Sequence, residues 1–225
     1  MREFDLLNIY PNLKSRYINK NSRTIKNRII ASYKGKEFYD GNRSNGYGGY
    51  SYDGRWKLIV DRIFSVYKLK SNAKILEIGC DKGYLIYDIK KKYNKATIKG
   101  IENSKYAISK APKLIKKDLI FSNFVNLPFK NDYFDFVLAI GPVYSLNLTD
   151  ALKCLKEINR VGKGKSFITL GAYKTDKEFQ LFRYWTLLGS TILSKTEWKT
   201  VLKHVNYKGD YKFNTSSSLN LKIKK

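Results

Sequence analysis

The sequence predicts an α/β fold built on a doubly wound, mostly parallel sheet. Three observations carry this expectation. From residue 73 onward, short apolar strands alternate with helical stretches of about ten to fifteen residues, the spacing that βαβ crossovers require. The stretch FDFVLAIG at 134–141 is apolar on both faces, as a strand covered on both sides must be. The stretch AKILEIG at 73–79 runs directly into a glycine turn ahead of a helix.

Residues 1–44 are polar and rich in Lys and Asn. Leu6, Leu7 and Tyr10, then Ile25, Ile29 and Ile30, give a weak helical period, so one or two short helices packed on a larger body are expected. A loop follows, NGYGGYSYDGRW at 45–56, that combines four glycines with three tyrosines. Trp56–Leu69 places Trp56, Ile59, Val60, Ile63, Phe64 and Tyr67 on one helical face. AKILEIG is the first strand of the alternating region, Lys82–Tyr93 a helix, ATIKGIE at 96–102 the second strand, and Ser104–Lys113 a helix ended near Pro112. Asp118–Asn123 is a weaker third strand and FDFVLAIG the fourth. Thr149–Val161 reads as a helix capped by Thr149, KSFITLGAY at 165–173 as the fifth strand, and Thr196–His204 as the last helix. Tyr207–Phe213 and Leu219–Ile223 are expected to close the sheet as an antiparallel hairpin. No internal repeat or clear linker interrupts the chain.

Composition narrows the class. With 225 residues, 43% of them hydrophobic, the chain can bury the core of one large domain with an extension. No run approaches the roughly 18–20 apolar residues of a membrane span, and MREFDLLNIYPNLK has no apolar signal-peptide core. Cys80 and Cys154 have neither metal-ligand nor disulfide spacing, so a reduced, cytoplasmic protein without a metal is expected. The net charge of +25 points toward anionic partners, nucleic acid among them. Yet 35 of the 44 basic residues are scattered Lys and only nine are Arg, the residue whose fork fits phosphate. Together with the abundance of Asn, Ile and Tyr, this fits a base-composition bias, and nucleic acid is not the favoured partner.

Chemistry concentrates where the first strand meets its turn, in LEIGCDKGY: Glu77, Gly79, Cys80, Asp81 and Gly83. Such a turn lets backbone N–H groups approach a ligand. The next strand ends in Ile101–Glu102, 19 residues after Gly83, where a carboxylate can accept from two ribose hydroxyls. A nucleoside-containing ligand at the carboxyl ends of these strands follows. The turn lacks the G-x-G-x-x-G spacing that seats a pyrophosphate, which argues against a dinucleotide.

At these residues the chain resembles the class I S-adenosylmethionine-dependent methyltransferases. Glu77, Gly79 and Gly83 match the family's acidic-x-Gly-x-Gly-x-Gly motif, with Asp81 in place of the middle glycine. Glu102 matches its ribose-binding acid, with Asn103 beside it. SNFVNLPFKNDYFDFVLAIG resembles the third and fourth motifs, which implies Asn123 and Phe124 flanking the adenine, Asp135 opening the fourth strand and Ile140 at the cofactor. LKEINRVGKGKSFIT resembles the helix and strand that follow. The likeness covers about 56–223. It implies a Rossmann-like, seven-stranded sheet whose last two strands are the hairpin, S-adenosyl-L-methionine as cofactor, and a division into a lid-bearing extension, 1–55, and a methyltransferase domain, 56–225.

The loop at 45–56 precedes the first sheet helix, so it can fold back over the strand ends. Its tyrosine faces, Tyr50 and Tyr52 among them, suit a sulfonium and an acceptor, and Arg55 a carboxylate. Its glycines allow closure that excludes water. The loop also resembles a branch of these methyltransferases associated with surface-polysaccharide and sugar biosynthesis. AIGPVYSLNL at 139–148 is a second substrate element, with Tyr144 aimed at the site, and FRYWTLLGSTILS at 182–194 a third, with Tyr184 and Trp185. The former is not the N/D-P-P-Y/W sequence used on base amino groups. Methyl transfer rests on alignment, with a base needed only for a hydroxyl acceptor. The sole histidine, His204, reads as a surface or packing residue, which leaves Asp53 and Tyr144 as base candidates, with Asp53 equally suited to cap a helix. A small-molecule methyltransferase acting on a sugar or polysaccharide precursor is expected. An RNA methyltransferase and a non-catalytic S-adenosylmethionine-binding protein are the alternatives.

Overall fold

Every strand pairing among the described residues of the computed structural model, 1–10 and 15–224, is parallel. In chain order the elements are β1 (Arg2–Glu3), β2 (Arg16–Ile18), α1 (Ile25–Ser32), α2 (Lys36–Tyr39), α3 (Lys57–Val66), β3 (Lys74–Ile78), α4 (Tyr84–Lys92), β4 (Thr97–Glu102) and α5 (Lys105–Ser109). A 3₁₀ turn at Lys113–Asp118 leads to β5 (Leu119–Phe121), β6 (Phe136–Ala139), α6 (Pro142–Ser145), α7 (Leu148–Val161), β7 (Ser166–Tyr173), α8 (Asp176–Trp185), β8 (Leu193–Ser194), α9 (Lys195–His204), β9 (Asp210–Asn214) and β10 (Leu221–Ile223).

The main sheet runs β1-β9-β7-β6-β3-β4-β5, with β8 beside the end of β7. Connections leave β3 toward β4 and β5 on one side and reach β6 and β7 on the other, so the order reverses between β3 and β6. A crevice at the carboxyl ends of the strands is the consequence. Alternation along the strands serves two cores. Leu76, Val137 and Ile168 pack with α7 and α9, and Ile75, Phe136 and Phe167 pack with α3 and α4. Trp198 of α9 is fully buried, and its indole N–H donates to the Gly171 carbonyl at 2.8 Å.

Four expectations are corrected. There is no C-terminal hairpin: α9 is a crossover, so β9 lies parallel to β7. A turn at Thr215–Ser218, closed by the Thr215 and Ser218 side chains, sends β10 away to pair with β2 in a separate ribbon. The seventh place along the sheet belongs to β1, held by Arg2 against Asp210 at 2.7 Å; two residues are too short to show a strand period. Leu6–Tyr10 is a turn instead of a helix, because Asp5 Oδ1 accepts the Leu7 N–H at 2.9 Å and Tyr10 N–H returns to the Leu7 carbonyl. Asn147, not Thr149, caps α7, accepting the Asp150 N–H at 3.0 Å.

Candidate active site

The turn after β3 is built from left-handed backbone. Gly79, Asp81 and Gly83 have φ of 70°, 51° and 74°. At Gly79 a Cβ would come within 3.1 Å of Pro142, so glycine lets the β6–α6 turn close on the end of β3. At Gly83 a Cβ would meet Ile115 at 2.5 Å. Gly83 lies behind the cleft and serves packing, whereas Gly79, Cys80 and Asp81 border it. The Cys80 thiol is buried in the α3–α4 core, leaving its backbone at the cleft. Asp81 tolerates the left-handed backbone that explains why glycine is usual there, since Asp and Asn carry the least penalty.

A cleft of about 1060 Å³ opens above this turn. Three carboxylates converge on its floor. Glu102 is fully buried at the end of β4, where Oε2 accepts the Asp81 N–H and Oε1 the Asn103 N–H, both at 2.9 Å. Burial, then the charge of Asp81, pushes its carboxyl up to about 7. Glu77, at the end of β3, is buried with Oε2 bonded to nothing. Burial and repulsion from Asp81 and Glu102 hold its carboxyl well above the usual range. Burial raises Asp81 as well, against Lys34 and two tyrosine hydroxyls that lower it. Such a site is short of positive charge. A ligand carrying a sulfonium, an ammonium and ribose hydroxyls supplies what Glu77 and Glu102 lack.

The Gly/Tyr loop lies over the turn and is docked there. Tyr47 OH donates to Asp81 Oδ2 and Tyr39 OH, from α2, to Asp81 Oδ1, both at 2.8 Å. Lys82 donates to Asp40 at 2.7 Å and to the Tyr50 carbonyl at 2.6 Å. Tyr47 stacks on Tyr50 with centroids 4.5 Å apart. Tyr50 borders the cleft, but Tyr52 turns outward and donates to Asp88 at 2.5 Å. Asp53 and Arg55 both line the cleft and pair with each other, Arg55 Nε donating to Oδ2 at 2.6 Å. That hydrogen bond holds the Asp53 carboxyl below its ordinary value. Asp53 does not cap α3, whose N-cap is Trp56 without a side-chain bond.

Phe124 is buried beneath Lys34, whose ammonium is 5.4 Å from the ring centroid, 3.8 Å from Glu102 Oε1 and 2.7 Å from Asn103 Oδ1, and neither Phe124 nor Asn103 lines the cleft. Asn123 is occupied in a turn, accepting the Val125 and Asn126 N–H groups. Ile140 lines the cleft, and Asp135 is outside it, accepting the Lys74 N–H and the Lys163 ammonium. Opposite the carboxylates, Tyr144 and Trp185 form a wall, while Tyr184 packs in the small core around Ile18. Burial raises the Tyr144 phenol, against Asn214 and Arg16 which act the other way, so it keeps its proton. Thr169, on β7, is buried beside them with a hydroxyl that has no partner. Lys34 and Thr169 at the cleft, and Tyr39, Asp40 and Lys82 in the anchorage of the loop, carried no signal in the sequence, being ordinary residue types that only the tertiary fold brings into place.

Residues 69–214 match a family described as a methyltransferase domain. The chain is 30% identical over 102 residues to cycloartenol-C-24-methyltransferase 1 of rice, covering 42% of this chain and 29% of that protein. It is 32% identical over 117 residues to demethylmenaquinone methyltransferase of Bacillus velezensis, covering 48% of each. It thus spans less than half the length of either relative. In fold it is similar to the YcgJ protein of Bacillus subtilis, with a TM-score of 0.52 at 16% identity over 65% of this chain and 66% of that one.

Proposed function

The chain belongs to the methyltransferase-domain family, with S-adenosylmethionine as its methyl donor, and from that premise we propose that it methylates a hydroxylated small molecule, a sugar or a polysaccharide precursor. One observation carries this reading. The cleft has two unlike walls, a carboxylate floor deficient in cations and an opposite wall of hydroxyl and amide groups, Tyr144, Asn214 and the unpartnered Thr169. Its volume suits two ligands side by side.

In this reading Glu102 takes the ribose hydroxyls, Glu77 faces the cationic end, and the backbone of Gly79–Asp81 borders the donor. Asn123 and Phe124 flank the adenine, and Asn103 and Ile140 belong to the donor site. When bound, the donor supplies an electrophilic methyl group on sulfur. Tyr144, protonated at neutral pH, orients the acceptor hydroxyl. The ionised Asp53 carboxylate, which also lines the cleft, takes the hydroxyl proton as the oxygen is methylated, and Tyr50 and Trp185 wall the acceptor. The docked loop excludes water. Residues up to 55 carry the lid, with β1 joined to the main sheet and β2 to β10, and the methyltransferase domain follows from 56. The resemblance of the loop to the sugar-associated branch also supports the acceptor class.

Calorimetric titration with S-adenosylmethionine, beside a Glu102→Ala variant, tests the donor site. The expected result is binding by the wild type that the variant loses by at least about tenfold, the scale of a charge-assisted pair. Equal binding by both would overturn the assignment of Glu102.

A further inference from the structure

Arginine is scarce in this chain, nine residues in all, yet four of them line the cleft, where Arg55 is paired with Asp53 and, among the described residues, the other three are not paired with a carboxylate. Arg16 comes from β2, Arg23 from the segment before α1 and Arg43 from the turn before the Gly/Tyr loop. The three come together by tertiary folding. Arg23 Nη1 donates to the Arg43 carbonyl at 2.5 Å, Arg43 Nη1 donates to the Gly46 carbonyl, and the Arg16 guanidinium lies 5.5 Å from the centroid of the Trp185 ring. Among the described residues no carboxylate is within ion-pair distance of any of them.

Two half-buried guanidinium groups, Arg16 and Arg23, with the exposed Arg43 beside them and no counter-ion, are an electrostatic cost. Burial, then repulsion from Arg43 and Arg16, brings Arg23 down to about 10. Arg16 is lowered by burial and by Arg43, with Tyr10 and Tyr144 acting the other way. The cations that act on the floor carboxylates are Lys34, on Asp81 and Glu102, and Lys82, on Asp81. The cleft therefore has two poles, one acidic at the ends of β3 and β4, one basic beside Tyr144 and Trp185. The donor's single carboxylate matches one guanidinium at most. A phosphate, with up to two charges and three terminal oxygens, matches several forks at once.

We propose that Arg16, Arg23 and Arg43 form a phosphate subsite on the acceptor side of the cleft, so that the acceptor is a phosphorylated small molecule. This rests on the reading of the cleft as a methyl-acceptor site. The three arginines line the cleft, Arg16 and Arg23 half-buried and Arg16 against Trp185, which favours a small phosphate ester over a nucleic acid backbone.

The test is calorimetric titration of the full chain with inorganic phosphate and with pyrophosphate, for the wild type and for Arg16→Gln, Arg23→Gln and Arg23→Lys. Binding by the wild type is expected, weakened at least about tenfold by either Gln variant. Arg23→Lys keeps the charge and loses the fork, so it gives an intermediate loss and controls for folding. S-adenosylmethionine affinity is expected within about twofold of wild type in all three. No phosphate binding, or equal binding by every variant, would overturn the subsite. So would steeply salt-dependent binding of a single-stranded RNA through the same arginines with none of phosphate. Phosphate binding without S-adenosylmethionine binding would sink the donor reading and leave the subsite standing.

Discussion

Tyr47 OH donates to Asp81 Oδ2 at 2.8 Å, joining the Gly/Tyr loop to the turn after β3 across 34 residues of sequence. Tyr39 reaches the other oxygen of the same carboxylate. The residue that departs from the family's glycine is therefore the anchor of the loop that covers the site. Its side chain and the left-handed backbone it tolerates serve two purposes at one position.

Asp81→Gly separates these purposes. Glycine relieves the positive φ and removes both tyrosine bonds. Limited proteolysis within 41–54 is expected to accelerate several-fold, with the melting temperature of the domain nearly unchanged. Asp81→Asn, which tolerates the same backbone and keeps one acceptor oxygen, is expected to fall between. Unaltered proteolysis of Asp81→Gly would show that Lys82 with Asp40 holds the loop alone.

The buried carboxylates make the ligand-free protein sensitive to pH. Glu102 lies at about 7 in the fold and near 4.5 in the unfolded chain. Between these values the folded state holds more protons than the unfolded state, so stability falls as pH rises. The loss begins near pH 4.5 and is complete above about pH 7. Glu77, also raised by burial, acts in the same direction. Thermal melts from pH 5 to 8 are expected to decline for the wild type and to flatten for Glu102→Gln, and a cationic ligand at this floor is expected to remove the decline.

Tyr144→Phe removes a hydroxyl that burial keeps protonated. Turnover on a hydroxylated acceptor is expected to fall about tenfold, the scale of one positioned hydrogen bond, with donor affinity within about twofold of wild type. Asp53→Asn is expected to lower turnover on a hydroxyl acceptor at least as far, because Arg55 holds that carboxylate ionised and the amide cannot take the proton. Steady-state kinetics beside donor titration measure both.

Gly83→Ala places a methyl 2.5 Å from Ile115 on a backbone with φ of 74°. Destabilisation of about 1–3 kcal/mol is expected from overpacking and strain. Denaturant melts measure it, and donor affinity per folded molecule is expected to stay near that of wild type, since Gly83 lies behind the cleft.

Local pattern was enough to read much of this protein. The apolar runs at 74–78 and 136–139, the amphipathic faces of α3, α7 and α9, and the glycine turn with an acid at the end of the next strand all depend on residues a few positions apart. They determined the parallel α/β sheet and the position of Glu77 and Glu102. What depends on distant pairing was not legible. A two-residue strand at Arg2–Glu3 has no period of its own and exists because β9 leaves an open edge. The path of 215–223 is set by the partner β10 finds in β2, not by its own apolar alternation. Lys34, Tyr39 and Arg23 look like any other residues of a basic, tyrosine-rich chain until the N-terminal segment folds over the strand ends. Periodicity records which face of an element is buried. It does not record which distant side chain will meet a carboxylate across the cleft, and at this site that meeting anchors the loop and sets the charge.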